Sequence, residues 1–558
     1  MHTGADVFVK ALESYGVTKL FGNPGTTELP ISERVGESSI EYVLALHEDV
    51  AVGAAAGYAS ARRYHAHEDP EVLSLGVANV HVAPGLAHGL GNLHGASYTG
   101  APLLLTAGNY STDFQHEEPI LTGDLVRMAE PFTKWAAEVK HVDALPTMLR
   151  RAVRVALTPP TGPVFLALPL DVALAETERE PERLGEIPTA GRGDAGAIER
   201  SAEAISEAES VLAVIGDGVA RGGDRSVSAA VEFAEASGAR VCGEYITSES
   251  SFPTDHPLWD THLPGDASVA AGRFAEADCL VFVGCSTNTP SLRYDGRRVP
   301  AEATLIAIGD DPWELGKNEP ADHTVIGDPG TVLRELANRI GERLSEDERS
   351  ARTGRIESAL DRRGGGGSEG ESDDPRASKD DLARALAATA GEVLLVNEGV
   401  TAGAPLRRRL HLGPGQLLGN KSGGLGYGLP ASIGAAFAED ERGEEGREVL
   451  GFIGDGSYLY YPNAIYTAAR HDLDLTVVIA DNRNYRILKD NTMRIFGGEE
   501  ADHAFVATEF EPPVDLVANA ESHGASARLV DDPEGLGGAL EEALSDPGPT
   551  VLDVLIHD

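Results

Sequence analysis

Short unbroken runs of Val, Ile, Leu and Ala recur along the chain, separated by longer stretches in which apolar positions return every three or four residues. In the first third the runs are VLSLGVANVHV (72–82) and PLLLTAG (102–108), preceded by the helical pattern ADVFVKALESYG (5–16). The second third carries VLAVIGDG, ARVCGEY, CLVFVGC and TLIAIGDD between Ala- and Glu-rich helical stretches. The last third repeats the scheme with EVLLVNEG, EVLGFIGDG and LTVVIADN. Continuous apolar strands alternating with helices predict parallel sheets covered on both faces. The expected fold class is therefore α/β, with three doubly wound parallel-sheet domains in series.

Two polar, aperiodic stretches, 175–196 and the Gly-rich 362–377, read as linkers. They divide the 558 residues into expected domains at 1–175, 196–345 and 376–558. That division suits a chain too long for a single core.

Charge narrows the function classes. Eighty-nine acidic residues face 46 basic ones, for a net charge of −43, and only eight of the basic residues are Lys. Such a surface repels nucleic acid and anionic lipid, so neither is expected as a partner. The charge is spread along the chain and suits a high-salt cytosol, where screening suppresses self-repulsion. Three cysteines, Cys242, Cys279 and Cys285, make no disulfide framework or CxxC pair. No apolar run reaches the roughly 18 residues that span a bilayer. A cytoplasmic location is the expectation.

The chemistry concentrates in GDGSYLYYPNAIYTAARHDLDLTVVIADNRNY (454–485). Gly454 and Gly456 allow close backbone approach, and Asp455 between them offers a hard oxygen. The next strand ends on Asp481-Asn482, and Asn482 lies 27 residues after Asp455. Carboxylate, amide oxygen and backbone carbonyl together suit Mg²⁺ carrying phosphate oxygens. An internal control exists in VIGDGVARGG (214–223): 27 residues beyond Asp217 stands Glu244, with no Asn nearby. That first GDG reads as a plain strand-to-loop turn, and the missing Gly at Arg221 excludes a dinucleotide fingerprint.

GDGS with Asn 27 residues on resembles the thiamine diphosphate enzymes. Their order of pyrimidine-binding, middle and diphosphate-binding domains parallels the three thirds. The resemblance implies thiamine diphosphate and Mg²⁺ as cofactors, with Asp455 and Asn482 coordinating the metal by side chains and Asn484 by its backbone carbonyl. The family commonly has Asn where Asp481 stands. Thr401, Gly424, Leu425, Gly456, Ser457, Tyr460 and Tyr485 are the implied cofactor contacts, with Leu425 propping the cofactor in its bent shape. The family also needs a carboxylate to protonate the aminopyrimidine, in a dry pocket where desolvation raises its pKa. Glu48, ahead of the small-residue helix in YVLALHEDVAVGAAAGYASA (42–61), is that candidate. In this family the pyrimidine and diphosphate domains sharing one cofactor come from different subunits, so a homodimer or homotetramer is implied.

FGNPGTTELPI (21–31) resembles the first loop of the benzoylformate decarboxylase branch. Asn23, Pro24 and Gly25 are then cofactor-side residues, and Thr26 stands where that branch has a Ser facing the substrate carboxylate. NVHVAPGLAHGLGNL (79–93) resembles the same branch's His loop, making His81 the candidate catalytic histidine and leaving His88 and His94 as structural or exposed. The branch's second His, in the middle domain, is missing: Ser286-Thr287-Asn288-Thr289 stands there, and the next His is His323. The middle third carries no FAD or NAD signature and reads as structural. The implied activity is non-oxidative decarboxylation of a small 2-oxo acid to an aldehyde, with the thiazolium as electron sink. Acetolactate synthase-like carboligation of pyruvate is the alternative.

Overall fold

A computed structural model of the protein describes residues 1–287, 289–363 and 374–558, with side chains left out over 357–363. Asn288 and most of the Gly-rich linker therefore lie outside the described residues. Three six-stranded sheets carry the chain in series, each flanked by helices, so the α/β class is observed. The first and third sheets belong to one compact unit, and the middle sheet, joined by residues 411–417, forms a second.

The first sheet runs Glu41–Leu44, Lys19–Gly22, Gly76–Val80, Leu103–Asn109, Val164–Pro169, Trp135–Glu138, all parallel. Its central strands are buried along their whole length, which is why they read as unbroken apolar runs. In the third sheet, Leu394–Glu398, Val449–Gly454, Leu475–Asp481 and Pro549–Leu555 pair in parallel, with Ser526–Val530 and Leu417–Gly419 at the edges. One apolar core, from Phe21 and Val80 through Ile453 to Val551, runs through both sheets.

Two helices make that continuity possible. Glu48–Glu68 and Gly428–Asp440 are rich in Ala and Gly and buried over nearly their whole length. They cross so closely that a Cβ on Gly434 would overlap the Ala54 carbonyl oxygen, and one on Gly57 the Ala431 carbonyl. Glycine is required at both places by contact with backbone, which cannot move aside. Beneath this seam Glu439, almost fully buried, accepts from Arg447 at 2.6 Å and pairs with His65 at 3.1 Å. Those bonds overcome the burial that opposes ionisation and bring the Glu439 pKa down to about 2.

The second unit is a parallel sheet of its own, ordered Trp259–His262, Arg240–Gly243, Val211–Ile215, Cys279–Val283, Thr304–Gly309, His323–Ile326. Among the described residues no helix is long and apolar enough to cross a membrane.

Candidate active site

A cleft of about 440 Å³ opens at the carboxyl end of the third sheet, where open α/β sheets bind ligands. Thr401, Leu425, Asp455, Gly456 and Ser457 line one part of it. Asn482, Asn484 and Tyr485 line another, joined by Arg486 and Ile556, which the sequence reading did not single out. Tyr460 and Gly424 are exposed beside the cleft but do not line it.

Strand Val449–Gly454 delivers Asp455 to the first position of a short helical turn, Asp455–Tyr458. A Cβ on Gly456 would stand 2.6 Å from the Tyr485 ring, so no larger residue fits. Asp455 is almost fully buried. Its Oδ1 accepts from the Gly456 amide at 2.8 Å, while its Oδ2 is buried with no hydrogen-bond partner. Burial first, and the neighbouring Asp481 carboxyl second, push the Asp455 pKa well above the usual carboxylate range. Asp553, opposite Ile479 on the adjacent strand, joins the group: burial and Asp481 raise it to about 7. Asn484 carries a second buried side-chain oxygen without a partner. Two unsatisfied oxygens from Asp455 and Asn484 in one cleft fit a hard cation.

The other GDG supplies the contrast. Asp217 also opens a short helical turn, but its carboxylate accepts from the Ser248 amide and hydroxyl and from the Glu249 amide. Glu244, the residue 27 positions on, accepts from the Asp217 amide at 2.9 Å. The plain-turn reading of that segment is consistent with this internally satisfied geometry.

Leu425 sits in a loop shaped by Glu398. This buried carboxyl accepts from the Gly428 amide at 2.7 Å, the Asn420 side chain at 2.6 Å and the Tyr427 amide at 3.3 Å. Burial raises its pKa to about 7. Glu398 was inside the NEGVT segment but was not identified as an anchor, since a carboxylate before Gly reads as solvated.

The first-third candidates gather in a second cluster. A Cβ on Gly25 would overlap the His81 ring, so the NPG loop and the histidine are in direct contact. His81 Nδ1 lies 2.7 Å from Glu28 Oε2, and Glu28 is fully buried. Glu28 also accepts from the Gly25 and Gly108 amides at 3.1 and 2.8 Å and from the Thr27 hydroxyl at 2.7 Å. A carboxylate so placed accepts, so Nδ1 donates and Nε2 is the nitrogen left to exchange protons. Val82, directly after His81, holds a left-handed φ of 34°, a strained conformation for a β-branched residue. Thr26 is exposed at the start of the turn Thr26–Glu28, and Asn23 and Pro24 precede it.

Glu48 is buried at the start of its helix, which His47 caps by accepting from the Asp49 amide at 3.1 Å. Gly85, one turn after His81, faces it: a Cβ there would meet Glu48 Oε1 at 3.1 Å and His81 Cβ at 3.3 Å. His88, expected to be structural or exposed, is exposed yet reaches Glu48 Oε2 at 3.1 Å and stacks on His47. One donor atom each from His47, Glu48 and His88 lies within 4.8 Å of the others. A metal ligated by His47 through Nδ1 would displace the helix cap. Asp49 ties this cluster to the last third, through the Tyr461 hydroxyl at 2.8 Å and the Asn92 amide at 2.7 Å. Glu48, His81 and Thr26 do not line the Asp455 cleft.

In the second unit, where the decarboxylase branch has its other histidine, the Ser286 and Thr287 amides and the Thr287 hydroxyl donate to the buried Glu244.

Three family models match the chain: the thiamine pyrophosphate enzyme N-terminal TPP binding domain over 2–130, the central domain over 198–336 and the C-terminal TPP binding domain over 406–554. Benzoylformate decarboxylase of Pseudomonas aeruginosa is 29% identical over 99% of both chains. A probable acetolactate synthase large subunit of Methanocaldococcus jannaschii is 26% identical, over 99% of this chain and 92% of that one. Among solved structures, the Rhodococcus jostii thiamine diphosphate-dependent 4-hydroxybenzoylformate decarboxylase superposes with a TM-score of 0.85 at 26% identity, covering 100% of this chain and 99% of that one. Benzoylformate decarboxylase from Polynucleobacter necessarius gives 0.86 at 26% identity and the same coverage.

Proposed function

Because the chain belongs to the thiamine pyrophosphate enzyme family, we propose that it is a thiamine diphosphate- and Mg²⁺-dependent decarboxylase that converts a 2-oxo acid to an aldehyde and CO₂. The observation that carries this reading is the histidine at 81, held at Nδ1 by buried Glu28 and packed on the NPG loop. It supplies a proton-exchanging nitrogen near neutral pH beside the candidate cofactor-activating Glu48.

Bound thiamine diphosphate would supply the nucleophilic carbon and the electron sink. Asp455, Asn482 and Asn484 would hold Mg²⁺, with Ser457, Gly456 and the Thr401 and Leu425 loops around the diphosphate and ring system. Glu48 holds and releases a proton at its carboxyl group. His81 moves a proton at Nε2, and the Thr26 hydroxyl orients the substrate carboxylate. In this reading residues 1–175 bind the pyrimidine, 376–558 bind the diphosphate, and 196–345 are structural. The Asp455 cleft is lined entirely by residues from 399 to 556, which supports completion of the site by Glu48 and His81 of a second copy, hence a homodimer or a pair of dimers. The acidic surface supports a high-salt cytosol as the working medium.

A panel of aromatic and aliphatic 2-oxo acids, assayed in molar KCl with thiamine diphosphate and Mg²⁺, tests the proposal. Aldehyde and CO₂ are expected. Acetolactate from pyruvate would favour the carboligase alternative, which the resemblance to the acetolactate synthase large subunit keeps in play. Glu48→Gln should lose at least ~10²-fold in kcat with cofactor affinity kept. Unchanged turnover in that variant would remove Glu48 from its assigned role.

A further inference from the structure

Asn482 and Asn484 each present an amide whose two ends are nearly the same shape, so their surroundings decide which end faces the cleft. Asp558 makes that choice for both. Its Oδ1 accepts from Asn482 Nδ2 at 2.6 Å, and its Oδ2 accepts from Asn484 Nδ2 at 3.0 Å. A carboxylate offers only acceptor positions, so neither amide can present its oxygen to Asp558 without losing the bond and gaining repulsion.

The anchor is itself held. Ile556 donates its backbone N–H to the Asp481 carbonyl at 2.9 Å, and His557 donates to the Ala377 carbonyl at 3.0 Å, so the segment extends the sheet edge. The Lys379 ammonium and Arg486 guanidinium stand 3.6 and 3.4 Å from the Asp558 carboxylate and balance its charge. On the far side of the amides, Asn482 Oδ1 receives only the Asn484 N–H at 3.4 Å, and Asn484 Oδ1 is buried with no partner. Asp455 Oδ2, also buried and unpartnered, lines the same cleft.

We propose that Asp558 is a positioning residue for the divalent cation: by taking the amide hydrogens of Asn482 and Asn484 it turns both side-chain oxygens toward the Asp455 cleft. This rests on the reading of that cleft as the Mg²⁺-diphosphate site. Groups that orient metal ligands are commonly worth 10- to 100-fold in metal affinity.

Mn²⁺ binding to the full-length protein with saturating thiamine diphosphate, followed by the paramagnetic resonance of free Mn²⁺, provides the test. Asp558→Ala and Asp558→Asn should each weaken Mn²⁺ binding by about 10- to 100-fold. Asn at 558 keeps the volume but can donate as well as accept, so it no longer dictates the amides; it also serves if the Ala variant folds poorly. In an Asn482→Asp background the residue at 482 has two equivalent oxygens and no end to orient. There the loss on Asp558→Ala should shrink to under about threefold, whereas a purely structural role would give the same loss in both backgrounds. Equal losses, or unchanged Mn²⁺ affinity in the Asp558 variants, overturn the proposal. Asp455→Asn separates the two levels. If it abolishes Mn²⁺ binding while Asp558→Ala does nothing, only the role of Asp558 fails. If it leaves Mn²⁺ binding intact, the reading of the cleft fails with it.

Discussion

Glu28 and His81, 53 positions apart in sequence, meet at 2.7 Å in the first sheet's loops, with the carboxyl fully buried and the imidazole about a quarter exposed. The carboxylate is fixed by two backbone amides and a hydroxyl, so it is the rigid member, and the ring takes its orientation from it. Glu28→Gln places an amide that can present N–H to Nδ1, removing the preference for one tautomer. The expected result is a fall in kcat/KM of about 10²-fold with thiamine diphosphate affinity unchanged, measured by steady-state kinetics and cofactor titration. A KM effect alone would contradict an orienting role.

The seam between the Glu48 and Gly428 helices is expected to tolerate no added methyl group. Gly434→Ala drives a Cβ into the Ala54 carbonyl, and the backbones must separate. A loss of about 1–3 kcal/mol in urea unfolding is the expected outcome, with the larger Gly434→Val failing to accumulate as folded protein.

Glu439 predicts an acid-side stability profile. Its pKa is depressed to about 2 in the folded chain, so its contribution is complete above the unfolded value near 4.5 and is lost as pH falls toward 2. Glu439→Gln should cost on the order of 3 kcal/mol at neutral pH, with the difference from wild type closing across that window. Denaturant midpoints at pH 7, 4 and 2.5 measure it.

Asp553 predicts the opposite profile. Its pKa is raised to about 7 from 3.8, so the penalty for its charge is absent below the unfolded value, grows with pH and is complete above 7. Asp553→Asn should therefore stabilise the cation-free protein at pH 8, by at most about 4 kcal/mol, and leave it unchanged near pH 4. A melting-temperature gain that did not depend on pH would point to packing instead of charge.

The buried central strands were legible because burial on both faces forces continuous Val, Ile and Leu. Edge strands such as Trp135–Glu138, Ser526–Val530 and Trp259–His262 were not, since half-exposed positions carry polar residues and leave no run. At the site, residues spaced within one strand–helix–strand unit were readable: Asp455, Asn482 and Asn484 line one cleft as their 27-residue spacing suggested. Partners brought in from far along the chain were not. Glu28 sat within a quoted loop, yet nothing in TTELP states that its carboxyl is buried or faces residue 81. His88 reads as one more exposed histidine, and only the folding of its helix against residue 48 brings it within 3.1 Å. Asp553 and Asp558 reach the cleft through pairing of neighbouring strands, a relation that local periodicity does not encode.

Where Gly57 meets Ala431 and Gly434 meets Ala54, main chain touches main chain with no side chain between them to change rotamer. The turns that begin these two helices, one carrying Glu48 and the other the Tyr427–Gly428 bend, consequently travel as a single rigid piece. New substrate preferences in this lineage would then arise by rewriting the loops around residues 26 and 400, because the scaffold beneath them has no slack to share.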